Sequence, residues 1–265
     1  MGSVTRTRAF GAFAGLLCAV ACGGAPDDPS TLKLRADARL GNHLVDHDSR
    51  SLYTFGQDRP ASAAAAAVSN CTGSCLSLWP PFHADTILVE GISATDVGEI
   101  TRSDGAKQTT FRGWPLYHYV GDRGAGDVTG EGIDDVWFVP RDQAYSYLLL
   151  SNAPGTRPEP YLSDATGRSL YLFSQDTTGT ATSDPVSACT SAGCQSIWPI
   201  FHSDDMVVPS TLAASDFKVF TRPDGQKQTA YKGHPLYFFS SDATPGDTKG
   251  RGVNNRNTLD PRNVP

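Results

Sequence analysis

Two stretches of this chain hold the residue types of a soft metal site. Cys71 and Cys75 are followed by His83, and Cys189 and Cys194 by His202, with eight residues from the second cysteine to the histidine each time. Thiolate and imidazole together suit copper or zinc. The same thiols have a competing chemistry, because an even, locally paired set in an exported chain oxidises to disulfides. A disulfide sulfur is a poor ligand, and Met206 alone lies near to add a soft donor. The sequence therefore predicts the bridges Cys71–Cys75 and Cys189–Cys194, with His83 and His202 as ordinary loop residues and no cofactor. The alternative is a copper or zinc site, or an electron-transfer centre, built on the two Cys/His sets. Closing loops this short stabilises by roughly 2 kcal/mol, so the bridges pin a loop rather than hold a fold.

A second constellation occurs four times. Tyr53-Thr-Phe55-Gly-Gln-Asp58, Tyr117-His-Tyr119-Val-Gly-Asp122, Tyr171-Leu-Phe173-Ser-Gln-Asp176 and Tyr237-Phe-Phe239-Ser-Ser-Asp242 all read Y-x-[FWY]-x-x-D, each preceded by Leu, at Leu52, Leu116, Leu170 and Leu236. On a strand the Tyr and the second aromatic share one face while Leu takes the other. The Asp falls where the strand ends, placed to accept N–H groups of the following turn. This predicts an aromatic core pair with a turn cap; the alternative is that the four carboxylates bind a ligand.

The motifs alternate in context, so the true repeat holds two of them. Residues 101–122 and 221–242 are identical at twelve of twenty-two positions without a gap. The offset is 118 at Tyr53/Tyr171, 119 at Trp79/Trp198 and 120 at Tyr117/Tyr237. Each unit is thus the size of a small domain. The chain divides into a signal at 1–21, a flexible tether at 22–40, unit one at 41–140, a linker at 141–160, unit two at 161–252 and a polar tail at 253–265.

Strand and turn signals dominate. Asp104-Gly105 and Asp224-Gly225 sit between short β-prone runs, giving hairpins whose Asp-Gly pair supplies positive φ. The returning strands Gln108–Phe111 and Gln228–Tyr231 lead to Gly-x-Pro-Leu-Tyr, and the alanine run at 61–68 reads as loop. The Gly- and Asp-rich runs at 124–132 and 246–252 lack the EF-hand and phosphate-loop spacings and read as wide turns. Signatures of a nucleophile-elbow hydrolase, a zincin and a c-type haem protein are missing, so no catalytic residue is assigned and a non-enzyme is expected. Lys107 with Gln108 and Lys227 with Gln228 are duplicated polar pairs; flanking lysines of this kind are usually solvated. His43, His47, His118 and His234 have no duplicated partner.

At the N-terminus, Arg6 and Arg8 precede an apolar run from Ala9 to Ala21 and then Cys22. The run is too short to span a bilayer and has the form of an export signal. Ala19-Val20-Ala21-Cys22 resembles the lipoprotein cleavage boundary, which makes Cys22 the lipid-bearing residue; a plain secretory cleavage is the alternative. Cleavage leaves 20 basic against 28 acidic residues, moving the net charge from −6 to −8. An acidic surface argues against nucleic acid.

The four motifs, the cysteine pairs ahead of Trp79-Pro80-Pro81 and Trp198-Pro199, and the Asp-Gly-x-Lys-Gln-Thr runs together resemble the bacterial lipoprotein family defined by Y-x-[FWY]-x-x-D, also described as a secreted repeat of unknown function. The resemblance covers about residues 43 to 252. It implies an exported, often lipid-anchored protein of tandem repeats, in the outer membrane since Gly23 rather than Asp follows Cys22, with no established activity. The expected fold is all-β: two tandem homologous antiparallel units, paired in pseudo-twofold fashion through their aromatic strands, with closure as barrel, propeller or sandwich left open. The expected function is a non-enzymatic envelope binding or scaffold module whose partners are the membrane, through the lipid, and an envelope protein or surface ligand.

Overall fold

The computed structural model describes residues 1–2, 31–151, 159–260 and 264, with the backbone alone for Thr31 and Tyr147. Beyond Met1 and Gly2, the signal, Cys22 and the first part of the tether lie outside the described residues. The protein is all-β, and its strands form several small sheets without barrel closure among the described residues. Unit one contains β1 (Thr31–Asp37), β2 (Gly41–Val45), β3 (Thr54–Phe55), the short helix α1 (Cys75–Leu78), β4 (Leu88–Glu90), β5 (Val97–Thr101), β6 (Lys107–Phe111), β7 (Trp114–Pro115) and β8 (Trp137–Phe138). Unit two contains β9 (Tyr147–Ser151), β10 (Pro160–Asp164), β11 (Tyr171–Phe173), α2 (Ala192–Ile197), β12 (Phe217–Thr221), β13 (Lys227–Tyr231), β14 (His234–Pro235) and β15 (Arg256–Thr258).

The units repeat one another pair by pair. β1 pairs with β2 as β9 does with β10, β3 with β8 as β11 with β15, and β5-β6-β7 forms the same meander as β12-β13-β14. These pairings are antiparallel as expected, but β1 also pairs in parallel with β4, so the units are not purely antiparallel. Three boundaries shift. The 22–40 stretch is not all tether, because Thr31–Asp37 is strand with Leu32 fully buried. The 141–160 stretch is not a linker, since it holds β9 with Leu149 and Leu150 in the core. Nor is 253–265 only a polar tail: β15 pairs with β11, and Leu259 is fully buried. β1 and β9 pair with the strands that follow them closely, β2 and β10, whereas β15 pairs with the distant β11, so its burial is the one that no local pattern shows.

Turn chemistry follows the backbone demands. In β5–β6 and β12–β13 only Gly105 and Gly225 have positive φ, so Asp104 and Asp224 do not. These are three-residue loops with a left-handed glycine rather than two-residue Asp-Gly turns. The two-residue form occurs next: Arg112-Gly113 and Lys232-Gly233 have positive φ at both positions, joining β6 to β7 and β13 to β14.

Each unit has a two-sided core. Tyr53 and Tyr117 cluster with Phe55, Cys71, Trp79 and Trp137, whereas their neighbours Leu52 and Leu116 join Leu32, Leu44, Phe82 and Phe111. Unit two divides likewise, Tyr171 and Tyr237 going with Cys189, Trp198 and Phe239, and Leu170 and Leu236 with Leu162, Phe201 and Phe217. Strand alternation places Leu and Tyr on opposite faces, as the motif predicts. The aromatic strands pair within units, Tyr53 with Tyr117 and Tyr171 with Tyr237, and not between them. The units meet instead through Trp114 against Leu150 and Tyr161, and through a bond from Ser151 N–H to Gly56 O of 3.0 Å.

Candidate functional site

The four motifs build two copies of one device. Tyr53 and Tyr117 exchange backbone hydrogen bonds, N–H to O at 2.9 and 3.0 Å, which sets the motifs of a unit side by side. Their side chains then cross. Tyr53 Oη donates to Asp122 at 2.8 Å, and Tyr117 Oη donates to Asp58 at 2.8 Å. In unit two Tyr171 reaches Asp242 at 2.7 Å and Tyr237 reaches Asp176 at 2.9 Å. The Asp of each motif therefore serves the Tyr of the other, which explains why the motif comes in pairs.

The turn-cap expectation needs correction in its target. The second carboxylate oxygen does accept backbone N–H, but from distant loops: Asp58 from Asn70 at 2.7 Å, Asp176 from Ala188 at 2.8 Å, Asp122 from Thr129 at 2.9 Å and Asp242 from Lys249 at 3.0 Å. The adjacent turn is too short to fold back onto a carboxylate already turned inward. The Gly-rich runs are wide turns lying over this device. Gly130 N–H donates to Tyr53 Oη at 3.2 Å, and a Cβ there would stand 2.8 Å from Trp79 and 2.9 Å from Tyr53. Gly250 sits the same way, 3.3 Å from Tyr171 Oη and crowded by Trp198 and Phe239.

A polar chain continues from the tyrosines. Tyr117 Oη is 2.6 Å from Ser69 Oγ, which accepts a bond from the buried Arg102 guanidinium. Arg102 also donates to Gln108 Oε1 at 2.9 Å and Cys71 O at 2.8 Å, and Gln108 donates to Leu116 O at 2.8 Å. Arg222 repeats this with Gln228 at 2.7 Å and Cys189 O at 2.8 Å, and Ser187 lies 2.6 Å from Tyr237 Oη. Burial pushes the Asp58 carboxyl up to about 7 and Asp176 up to about 6, opposed by the hydrogen bonds each accepts and by the nearby arginines. Burial and the facing carboxylates push all four motif tyrosines up, so they stay protonated donors.

The cysteines are bonded as Cys71–Cys75 and Cys189–Cys194, with Cα atoms 5.4 and 5.5 Å apart. His83 and His202 turn to acids instead, Nε2 lying 2.9 Å from Glu99 and 3.3 Å from Asp204. Lys107 and Lys227 join the same carboxylates at 3.0 and 3.1 Å. Among the described residues, the ligand-type side chains that converge are Asp46, His47 and Asp48, a mostly exposed group, and not the Cys/His sets. Gln108 and Gln228 are buried structural groups, parted from their exposed lysine neighbours. His43 is buried too, beside Ser51 Oγ at 3.0 Å, and His118 is half-buried, 3.5 Å from Asp46. Sequence reasoning missed Arg102, Arg222, Ser69 and Ser187. The available signal was duplication, since both arginines lie in the identical Thr-Arg-x-Asp-Gly runs.

Beside the disulfides each unit leaves apolar side chains uncovered. Val68 and Leu78 in unit one, and their counterparts Val186 and Ile197 in unit two, are 49, 54, 52 and 45 % exposed. Among the described residues no helix is long and apolar enough to cross a membrane. The family model for a secreted repeat of unknown function matches residues 35–83, 98–140 and 218–256, which carry the first, second and fourth motifs. The third motif is unmatched, yet its Tyr171–Asp242 bond repeats the geometry of Tyr53–Asp122. Searches of curated proteins and of solved structures return no significant match.

Proposed function

From the premise that this chain belongs to the family of secreted repeats of unknown function, we propose that it is a non-enzymatic binding or scaffold module of the cell envelope. It is exported, held at the outer membrane by lipid on Cys22, and presents two equivalent contact surfaces to an envelope protein or surface ligand. The observation that carries this reading is the recurrence of exposed Val68 and Leu78 as Val186 and Ile197. Burial accounts for recurrence in a core but not on a surface, and large exposed apolar residues are those that gain most from a partner. The motif carboxylates support it as well, because each is used by a tyrosine of its own unit and is a part of the frame. A metal or electron-transfer accessory would need the cysteines as free thiolates, and both pairs are bonded.

Two measurements test the reading. Cys22→Ser is expected to move the protein from the membrane to the soluble fraction; unchanged attachment overturns the anchor. A photocrosslinking residue at 78 or at 197 in intact cells is expected to give an adduct of the same mass from either position. Adducts from one unit alone, or from neither, overturn the duplicated surface.

A further inference from the structure

The two units share the turn that follows β2 and β10 but furnish it differently. In unit one Asp46 N–H bonds to Arg50 O at 3.0 Å, and Asp46 Oδ1 accepts Arg50 N–H at 2.9 Å; Asp164 does the same with Arg168 at 3.0 and 2.9 Å. The aspartate and the arginine are therefore what the turn itself requires. Three residues around it belong to unit one alone. His47 and Asp48 stand in the turn where unit two has Ala165 and Thr166, and His118 follows the second motif tyrosine where unit two has Phe238.

The fold gathers these three, from two segments distant in sequence, around Asp46. His118 Nε2 lies 3.5 Å from Asp46 Oδ2, and His47 Nε2 lies 3.2 Å from Asp48 Oδ2. One ligand-type atom from each of Asp46, His47 and Asp48 lies within 4.8 Å of the others. Nitrogen and oxygen ligands of a tetrahedral zinc ion stand roughly 3.3 to 3.5 Å apart, so both short pairs already have that spacing. Asp46 is 4 % exposed, with Oδ1 held by the turn and Oδ2 facing His118, whose ring is set by Phe82 edge-on at 5.5 Å. His47 and Asp48 are exposed and have the side-chain freedom to close the remaining gap. The nearby cations do not compete: Lys33 Nζ sits on the His47 carbonyl oxygen at 3.3 Å and Arg50 is exposed, and among the described residues neither forms an ion pair with Asp46 or Asp48. Ring packing explains a flat group at position 118, since Arg168 lies over Phe238 at 4.0 Å in unit two. It does not explain why His47 and Asp48 are present with His118 and missing with it.

We propose that Asp46, His47, Asp48 and His118 bind one zinc ion, which clips the turn after β2 to the second motif of unit one. Two imidazoles and two carboxylates favour zinc over calcium or magnesium, which take about six or more oxygens. Four protein ligands leave no open position, so the ion is structural. No sulfur is involved, and the site depends on neither the lipid anchor nor the duplicated surface.

Titration calorimetry of zinc chloride into the full exported chain carrying Cys22→Ser, with both disulfides formed, is expected to show one ion per chain. His47→Ala and His118→Phe install residues that the same turn in unit two already accommodates. Each is expected to weaken zinc by roughly tenfold or more, since even a partner behind a metal ligand is worth that much, and the double variant to abolish binding. Zinc is expected to raise the Tm of the parent and not that of the double variant. His83→Ala with His202→Ala is expected to leave binding unchanged. No binding, two ions per chain, unchanged affinity in the double variant, or calcium bound as tightly as zinc would each overturn the assignment. So would loss of binding in the His83 and His202 variant, which would return the ion to the Cys/His sets.

Discussion

Two positions related by the duplication, Trp137 and Arg256, fill one slot with different chemistry. Trp137 pairs across from Phe55, and Arg256 from Phe173, in the same register. The Trp137 indole stacks on Phe55 at 4.0 Å and on Trp79 at 3.8 Å, with Tyr117 edge-on at 5.2 Å. The Arg256 guanidinium lies over Phe173 at 3.6 Å, Trp198 at 4.4 Å and Tyr237 at 5.6 Å. The slot asks for a flat group between aromatic walls, and a planar delocalised cation meets that demand almost as well as an indole. The energetics differ. Trp137 buries a large apolar surface, whereas Arg256 must also be desolvated, and its Nε finds no acceptor among the described residues. Unit one thus has the aromatic core proper, and unit two a cation held among the same rings.

Removing each filler tests this contrast most directly. Trp137→Ala is expected to destabilise by about 3 to 5 kcal/mol, the range for deleting a large buried aromatic, read as a fall in the midpoint of denaturant unfolding. Arg256→Ala should cost clearly less, and equal costs would break the comparison. The two lids should behave alike despite the different fillers. Gly130→Ala and Gly250→Ala each drive a methyl group into rings, at about 1 to 3 kcal/mol, and a loss in only one would mean that its loop is free to move away.

The carboxylates give a pH-dependent version. A folded-state pKa above the ordinary 3.8 means stability that is full below that value and lost as pH rises through the folded value. The window runs from about pH 4 to 7 for Asp58 and to about 6 for Asp176. The Tm penalty of Asp58→Asn relative to the unaltered protein should therefore shrink between pH 4 and 8, and that of Asp176→Asn should level off about one pH unit earlier. A penalty that grows with pH in either variant would reverse the sign and place an ionised carboxylate in the fold at all pH values. The smallest effect is expected from Arg256→Met, within about 1 kcal/mol of the parent, because an apolar side chain of similar volume avoids the desolvation cost. A large loss there would show that the cation itself holds the second unit together.

Much of the frame was legible in the residues. The alternation of Leu and Tyr gave the two faces of the core, the Asp-Gly pairs marked the hairpins, and local cysteine pairing in an exported chain pointed to the bridges. The tail was misread for a physical reason: Arg256 in a polar run carries no apolar signal, since its burial depends on rings contributed by residues far away in sequence. β1 and β9 are a different case, since each pairs with the next strand along the chain and the Tyr-Leu-Leu-Leu run of β9 is itself a local strand signal.

What the sequence determined by itself was periodicity and duplication, because side-chain alternation and turn preference act over a few residues and a repeated pattern needs no context to be seen. Which Tyr meets which Asp was decided only by the tertiary structure. Within one motif the strand carries the Tyr hydroxyl and the carboxylate apart, and only the antiparallel bridge between two motifs brings each hydroxyl against the other's carboxylate. Trp114 acquires its surroundings in the same way, from Leu150 and Tyr161, when the second unit packs against the first.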